Sequence, residues 1–280
     1  MAFTSPTRRS LLTMSCACCV APVAARFVAS AVAAGADPGV PTILELGLNP
    51  MTRIAPTVWV AQIAPHVWLH TTTHPIGGFV YPANGLILTR EGDALLIDTG
   101  WTPEQARVLA GWIASDLKAR ISLAVATHYH SDRTGGVDAL KALGVRSVAH
   151  PLTCRLAREH GLPTPEPLIG FVEGAFPLAE NCELFYGGAG HTRDNIVVFV
   201  PDAQILYGGC FLKSATSADL GNVADAVMGD WAASVETMRT RYPTPKIVAP
   251  GHGALAGDSI ARTLALLAKG KAPPAASSQR

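Results

Sequence analysis

The chain has 280 residues, enough for one large domain or two small ones. It is 49% hydrophobic and 15% charged, which supports a sizeable core and excludes global disorder. A net charge of +1, with no basic stripe and no polybasic run, argues against a nucleic-acid surface and against stable anchoring to an anionic membrane.

The N-terminus reads as an export signal. Arg8 and Arg9 precede an apolar stretch to about Val32, and small residues run from Ala31 to Ala36. The twin arginine favours the Tat route over Sec. Ser15-Cys16-Ala17-Cys18 lacks the aliphatic residue of a lipoprotein signal. The expected organisation is a cleaved signal over 1–36, a Pro-rich leader over 37–56, a single domain over 57–270 and a disordered tail over 271–280, with the mature protein in the periplasm. Cleavage removes Cys16, Cys18 and Cys19 and leaves Cys154, Cys182 and Cys210, an odd set in which at least one thiol stays unpaired. Cys154 and Cys182 lie in apolar patterns and read as buried thiols.

Thr57–Val60 and His66–His70 alternate as paired strands. A hairpin loop over 72–82 follows, with Pro75, Gly77, Gly78 and Pro82 and an apolar tip of Ile76, Phe79, Val80 and Tyr81. Such a loop either folds onto the core or forms a flap over a pocket. Asn84–Thr89 and Ala94–Asp98 make a second hairpin. Thr102-Pro103-Glu104-Gln105 opens a helix with a capping box, and Leu109, Trp112, Ile113 and Leu117 form its apolar face.

The apolar strand Ile121–Ala126 leads into Thr127-His128-Tyr129-His130-Ser131-Asp132-Arg133-Thr134-Gly135-Gly136, and a helix runs from Val137 to Leu143. Val145–Ala149 is a short strand, and 151–180 holds a helix and a Pro-rich connection. Strands Cys182–Tyr186 and Asn195–Val200 flank a glycine-rich run ending in His191. Gln204–Tyr207 ends in Gly208-Gly209-Cys210, and 214–229 is a polar loop. Asp230 caps a helix bearing Trp231, Val235 and Met238, and Lys246–Ala249 runs into Pro250-Gly251-His252-Gly253. A last helix, Ser259–Lys269, turns Ile260, Leu264 and Leu267 inward and stops at Gly270. Hairpins followed by βα units, in two batches, favour an α/β layered sandwich over a plain parallel sheet.

Four segments repeat one pattern: an apolar strand, small residues, then a metal-competent side chain. They carry His128, His130 and Asp132, then His191, Cys210 and His252. The set divides into three His for one zinc and Asp, Cys and His for a second, each with a position left open as catalysis requires. A single Cys counts against a purely structural zinc. His66, His70, His74, His150 and His160 lack this context and read as surface or core residues, with His70 and His74 near the pocket.

These motifs, with Gly-His-Thr-Arg-Asp-Asn, Gly-Gly-Cys-Phe-Leu-Lys, Leu-Gly-Asn-Val-Ala-Asp-Ala and Gly-His-Gly, resemble a metallo-β-lactamase of subclass B1, the di-zinc type with a Cys ligand, from about Val58 to Leu267. Glyoxalase-type and RNA-processing relatives carry His after the Asp, where this chain has Arg133, and the mono-zinc subclass has Asn at the position of His128. The resemblance implies a four-layer αβ/βα sandwich with two mixed sheets flanked by helices. It implies two Zn²⁺ per chain, the first on His128, His130 and His191 and the second on Asp132, Cys210 and His252. It implies a monomer that confers resistance by hydrolysing small-molecule β-lactams, carbapenems included, through a metal-bound hydroxide, with Asp132 orienting the water. Lys213 would pair with the substrate carboxylate, Asn222 would lie near the carbonyl oxygen, Ile76 and Phe79 would contact substrate from the flap, and Trp101 would line the same wall or sit in the core. Arg133 and Asp98 would orient ligands from below. The alternatives are a hydrolase of the same fold acting on another ester or thioester, and a zinc-binding module without catalysis.

Overall fold

The computed structural model describes residues 51–271. The expected signal, most of the leader and the tail after 271 lie outside the described residues. The first sheet has eight strands in chain order: β1 (Thr52–Ala55), β2 (Val58–Ala64), β3 (Val67–Ile76), β4 (Phe79–Arg90), β5 (Asp93–Ile97), β6 (Arg120–Ala126), β7 (Ser147–Ala149) and β8 (Glu166–Pro167). Neighbours are antiparallel up to β5 and parallel from β5 to β8. Helices α1 (Pro103–Ser115), α2 (Ser131–Thr134), α3 (Val137–Ala142) and α4 (Pro151–Glu159) lie in its second half. The second sheet comprises β9 (Gly174–Ala179), β10 (Cys182–Tyr186), β11 (Val197–Val200), β12 (Ile205–Gly209) and β13 (Ile247–Pro250), in the order β13-β12-β11-β10-β9, with only β12 and β13 parallel. Helices α5 (Trp231–Arg241) and α6 (Ser259–Lys271) complete the chain.

Side-chain alternation along the strands builds the layers. Leu86, Leu88, Ile97 and Val125 face Leu184, Val198, Ile205 and Tyr207 in the core between the sheets. Their neighbours Ile87, Leu96 and Ala124 point the other way, onto Leu109 and Ile113 of α1 and Leu140 of α3. On the far side, Val197 and Leu206 meet Trp231, Val235 and Met238 of α5 and Ile260 and Leu267 of α6. Helix, sheet, sheet, helix is the four-layer sandwich that the resemblance implied. Among the described residues, no helix is long and apolar enough to cross a membrane.

Several local expectations change. β1 lies in the stretch assigned to the leader, where it pairs with β2. The hairpin expected at 72–82 is present but is mostly strand rather than loop: β3 and β4 pair out to Ile76 and Phe79, and Gly77 and Gly78 make the turn with φ of 58° and 85°. β9 lies in the expected Pro-rich connection, as an edge strand where a missing amide donor at Pro177 is tolerated. Thr102 caps α1 through Gln105 N, but the Gln105 side chain accepts from Trp101 N and donates to Thr73 O, so the box is opened in favour of a tie to β3. Leu117 lies beyond the end of α1, Asp230 stands at the N-cap of α5 without a side-chain capping bond, and α6 continues through Gly270.

The sandwich brings its strand ends to one edge. β6 runs into the His-x-His-x-Asp loop, β12 into Cys210 and β13 into His252. Backbone bonds pin these ends together: Ile196 N donates to Thr127 O at 2.9 Å, Asn84 N to Gly251 O at 2.8 Å and Gly251 N to Gly209 O at 2.7 Å. Gly251 has no room for a side chain, since a Cβ there would lie 2.4 Å from the carbonyl carbon of Gly209 and 2.6 Å from Cys210 N. Gly251→Ala should therefore destabilise the fold by about 1–3 kcal/mol through overpacking against backbone. A thermal melt checks this, and an unchanged Tm would contradict the close approach.

Candidate metal centre

One buried side chain lies under the whole edge. Arg133 is fully buried at the C-terminal side of the central loop. Its Nη1 donates to Asn84 O at 2.6 Å, Tyr207 Oη at 2.8 Å and Asp98 Oδ2 at 3.1 Å. Its Nη2 meets Asp132 Oδ2 at 2.8 Å, Cys210 Sγ at 2.9 Å and Gly251 O at 3.1 Å. The planar fork of a guanidinium suits this many fixed acceptors, and a lysine does not. Asp98 in turn accepts from Thr127 N at 2.8 Å, Thr127 Oγ1 at 3.0 Å and Tyr207 Oη at 2.6 Å. Asp98 holds φ at 62°, an uncommon value for a residue with a side chain, fixed here by these bonds. Arg133 and Asp98 thus lie beneath the donors, as the resemblance implied.

Above them the donors form two groups. His130 Nδ1 lies 3.2 Å from His128 Nε2 and 3.3 Å from His191 Nε2. His252 Nε2 lies 3.0 Å from Cys210 Sγ and 3.2 Å from Asp132 Oδ2, and Cys210 Sγ lies 3.6 Å from Asp132 Oδ2. Two nitrogen donors on a tetrahedral zinc stand about 3.3 Å apart, and a nitrogen and a thiolate about 3.6 Å. The nitrogen spacings of the three-His group match an ion at its centre, whereas the His252–Cys210 pair, at 3.0 Å, is closer than two donors on one zinc would stand. His128 also closes a group with Asp132 and Cys210, so the two sets are neighbours.

The electrostatics differ between the sets. Burial, and then the charge of His130, hold His128 well below the usual histidine range. Burial, and then Lys213, do the same for His191. Both rings are therefore neutral, as metal ligands must be. For Asp132, burial pushes up, but the Arg133 guanidinium, the hydrogen bond and charge of His252 and the charge of His128 together hold the carboxylate well below its usual range. For His252, burial pushes down, but the charge of Cys210 and the hydrogen bonds to Asp132 and Cys210 lift it to about 9. His252 Nδ1 meanwhile donates to Pro82 O at 2.6 Å, which fixes the ring.

The remaining predicted residues are placed unequally. Lys213 is half-buried, with Nζ 5.3 Å from the centre of the Trp231 ring and its charge felt at His191. Phe79 is 50% exposed at the hairpin tip, and Ile76 is half-buried there. Asn222 stands apart from the donors, exposed on the 214–229 loop with its Oδ1 accepting from Ala224 N at 3.1 Å. His74 stacks on Trp101 at 5.5 Å, and Trp101 lies 6.4 Å from the His252 ring, so both border the site. His70 is a core residue instead: its Nε2 lies 3.0 Å from Ile97 O, and burial lowers it to about 4. Cys154, Cys182 and Cys210 are all free thiols, and all are buried.

Three contributors have partners that their local sequence does not reveal. Tyr207 reads as one more core residue of a strand, yet its hydroxyl joins Arg133 to Asp98. Asn84 reads as a strand start, yet its Nδ2 donates to Pro250 O at 3.0 Å and Gly253 O at 2.9 Å and so holds the His252 loop. Asp225 sits in a loop without period, yet its Oδ2 accepts from His130 Nε2 at 3.0 Å.

The sequence profile of the Metallo-beta-lactamase superfamily matches residues 78–252, a span that includes both donor sets. The chain belongs to the metallo-beta-lactamase superfamily. Similar curated proteins include a metallo-beta-lactamase type 2 from Bacillus cereus, 38% identical over 70% of this chain and 77% of that one. Another of the same name from Bacteroides fragilis is 33% identical over 74% of this chain and 84% of that one. Among solved structures, a metallo-beta-lactamase from Pontibacter korlensis has a TM-score of 0.71 at 38% identity, covering 75% of this chain and 99% of that one. The metallo-beta-lactamase FIM-1 from Pseudomonas aeruginosa, solved in its mono-zinc form, has a TM-score of 0.74 at 34% identity, covering 78% and 97%. The family and fold read from the motifs are thereby confirmed.

The buried charges have two testable consequences. Arg133→Met leaves Asp98 and Asp132 buried without their cation and should cost about 3–5 kcal/mol of stability, read by urea denaturation. A change below 1 kcal/mol would contradict the role given to Arg133. The second concerns pH. A group raised to about 9 keeps its proton at neutral pH, and that proton must leave before His252 binds metal. Zinc affinity at Asp132, Cys210 and His252 should therefore fall as pH drops below 9, by about tenfold per unit. Affinity at the three-His set should vary less near neutrality, because His128 and His191 are already neutral. Zinc titrations at pH 6, 7 and 8 check the difference, and equal slopes would contradict it.

Proposed function

We propose that this protein is an exported zinc β-lactamase that opens the ring amide of β-lactam antibiotics, carbapenems included, with two Zn²⁺ per chain and the mature enzyme in the periplasm. The observation that carries the reading is the second donor set, in which Cys210 and Asp132 share the guanidinium of Arg133, beside a three-His set at tetrahedral spacing. The twin arginine and the small-residue site before Ala36 support export.

His128, His130 and His191 would hold the first zinc, and Asp132, Cys210 and His252 the second. Zinc bound in such sites would polarise a carbonyl and lower the pKa of water to about 7, which supplies a nucleophile at neutral pH. The chain's own residues supply the rest. Arg133 keeps Asp132 ionised and fixes the Cys210 sulfur, so the second donor set is preorganised before any ligand arrives. Lys213 offers a cation beside the donors, where it can pair with the carboxylate common to β-lactams. The hairpin tip, with Ile76 and Phe79, offers apolar surface that excludes water when it closes on substrate. Asn222, on the exposed 214–229 loop, would lie near the carbonyl oxygen.

Mature protein with measured zinc content, assayed on imipenem and a cephalosporin with and without chelator, tests the reading. Chelator-sensitive turnover of both is expected. A zinc-loaded protein that hydrolyses neither lactam but does cleave an ester or thioester would overturn the substrate class. Cys210→Ala should lose about one zinc per chain and most activity, and wild-type zinc content would contradict the ligand assignment. Lys213→Ala should raise KM about tenfold with little change in kcat, since a charged hydrogen bond to a spectator carboxylate binds ground and transition states alike.

A further inference from the structure

The segment 214–229 separates Cys210 from α5 and carries Asn222 on the substrate side. Its hydrogen bonds are mostly its own. Gly221 N donates to Asp219 Oδ1 at 2.8 Å, Ala224 N to Asn222 Oδ1 at 3.1 Å and Ala226 N to Val223 O at 3.2 Å. Its ends are tied down. Arg262 Nε donates to Ser217 O at 2.7 Å, and Val227 N to Gly190 O at 2.8 Å. Leu220 and Ala226 add apolar contact with the α5–α6 layer. Among the described residues, the stretch between Ser217 and Val227 makes side-chain hydrogen bonds to the rest of the molecule through Asp225. The Asp225 carboxylate meets His130 Nε2 at 3.0 Å and also the hydroxyl of Tyr129. Tyr129 is buried between the two metal-facing histidines of the central loop, and its ring packs on His130 at 4.5 Å and on His160 at 4.8 Å.

We infer that Asp225 is a positioning residue that latches the 214–229 loop to His130 and Tyr129, so that occupancy of the three-His set and order of the substrate-side loop are coupled. His130 turns Nδ1 to His128 and His191, which leaves Nε2–H as the donor to Asp225. A cation on Nδ1 draws electron density from the ring and makes Nε2–H a stronger donor, which tightens the latch. The carboxylate, in turn, fixes the ring and raises the basicity of Nδ1, which strengthens metal binding. Linkage makes the two effects equal in free energy. Asp225 is 39% exposed, so the effect sits at the low end of the range for such partners. The Tyr129 hydroxyl holds the second carboxylate contact and belongs to the loop side of the coupling. The inference rests on zinc binding by the three histidines and is independent of which substrate is cleaved.

The test uses the mature protein, zinc alone and two readouts, competition with a chromophoric chelator and amide hydrogen exchange at Ala224, Ala226 and Val227. In the wild type, stripping zinc should speed exchange at these amides about tenfold. Asp225→Ala should lower affinity for the first zinc about tenfold. It should also leave loop exchange fast with or without zinc. Tyr129→Phe, which removes only a hydroxyl, should speed loop exchange while changing zinc affinity less than Asp225→Ala does. If Asp225→Ala does not fold, Tyr129→Phe decides, and wild-type exchange in it overturns the latch. Wild-type loop exchange that ignores zinc, or Asp225→Ala with unchanged zinc affinity, also overturns it. A wild-type chain that takes up no zinc overturns the zinc reading together with the latch, whereas normal zinc uptake with an unaffected Asp225→Ala overturns the latch alone.

Discussion

The buried guanidinium of Arg133 is the interaction on which the site depends. It is fully buried, it lies where β4, β12, β13 and the central loop meet, and each of its two terminal nitrogens bonds to groups on different strands. An isolated buried charge costs several kcal/mol, so Arg133 is tolerable only with Asp98 and Asp132 beside it. The reverse also holds. Asp132 stays ionised at full burial because Arg133, with His252 and His128, offsets the loss of water. Folding and metal-site assembly therefore share one set of contacts.

The two donor sets use opposite electrostatics at close range. The three-His set is made of neutral donors whose burial keeps protons off. The Asp132, Cys210 and His252 set is charged and keeps a proton on His252 when no cation replaces it. One strand-end edge supports both because backbone bonds at Gly251, Gly209 and Asn84 hold the loops at fixed separation. The glycines matter here for close approach: a side chain at Gly251 would part β12 from β13 at the level of Cys210.

The sequence exposed the metal donors because their chemistry is rare at strand ends and repeats over four segments. A layered α/β sandwich was legible in the hairpins followed by βα units, but the four layers came from the resemblance, because an apolar run such as Leu86-Ile87-Leu88 does not show in sequence which residues enter which core. Tyr207 and Asn84 escaped notice because one looks like core and the other like a strand start, and only the fold brings them within reach of residues more than a hundred positions away. β9 was hidden by Pro177, whose cost vanishes at a sheet edge. Asp225 stands in the Leu-Gly-Asn-Val-Ala-Asp-Ala motif, but its role was hidden because its partner His130 lies 95 residues earlier. Asn222 shows the limit from the other side: its motif marks it, yet in the fold it is exposed and its side-chain hydrogen bond is within its own loop.

The central claim is that one edge holds two zinc ions in unlike donor sets, one all-nitrogen and one sulfur-containing. Zinc K-edge X-ray absorption on protein loaded with two equivalents measures this directly. The account predicts an average of one sulfur scatterer for every two zinc ions, at about 2.3 Å, with the other scatterers nitrogen or oxygen near 2.0–2.1 Å. Spectra fitted by nitrogen and oxygen alone, or by more than one sulfur per two zinc ions, would contradict it.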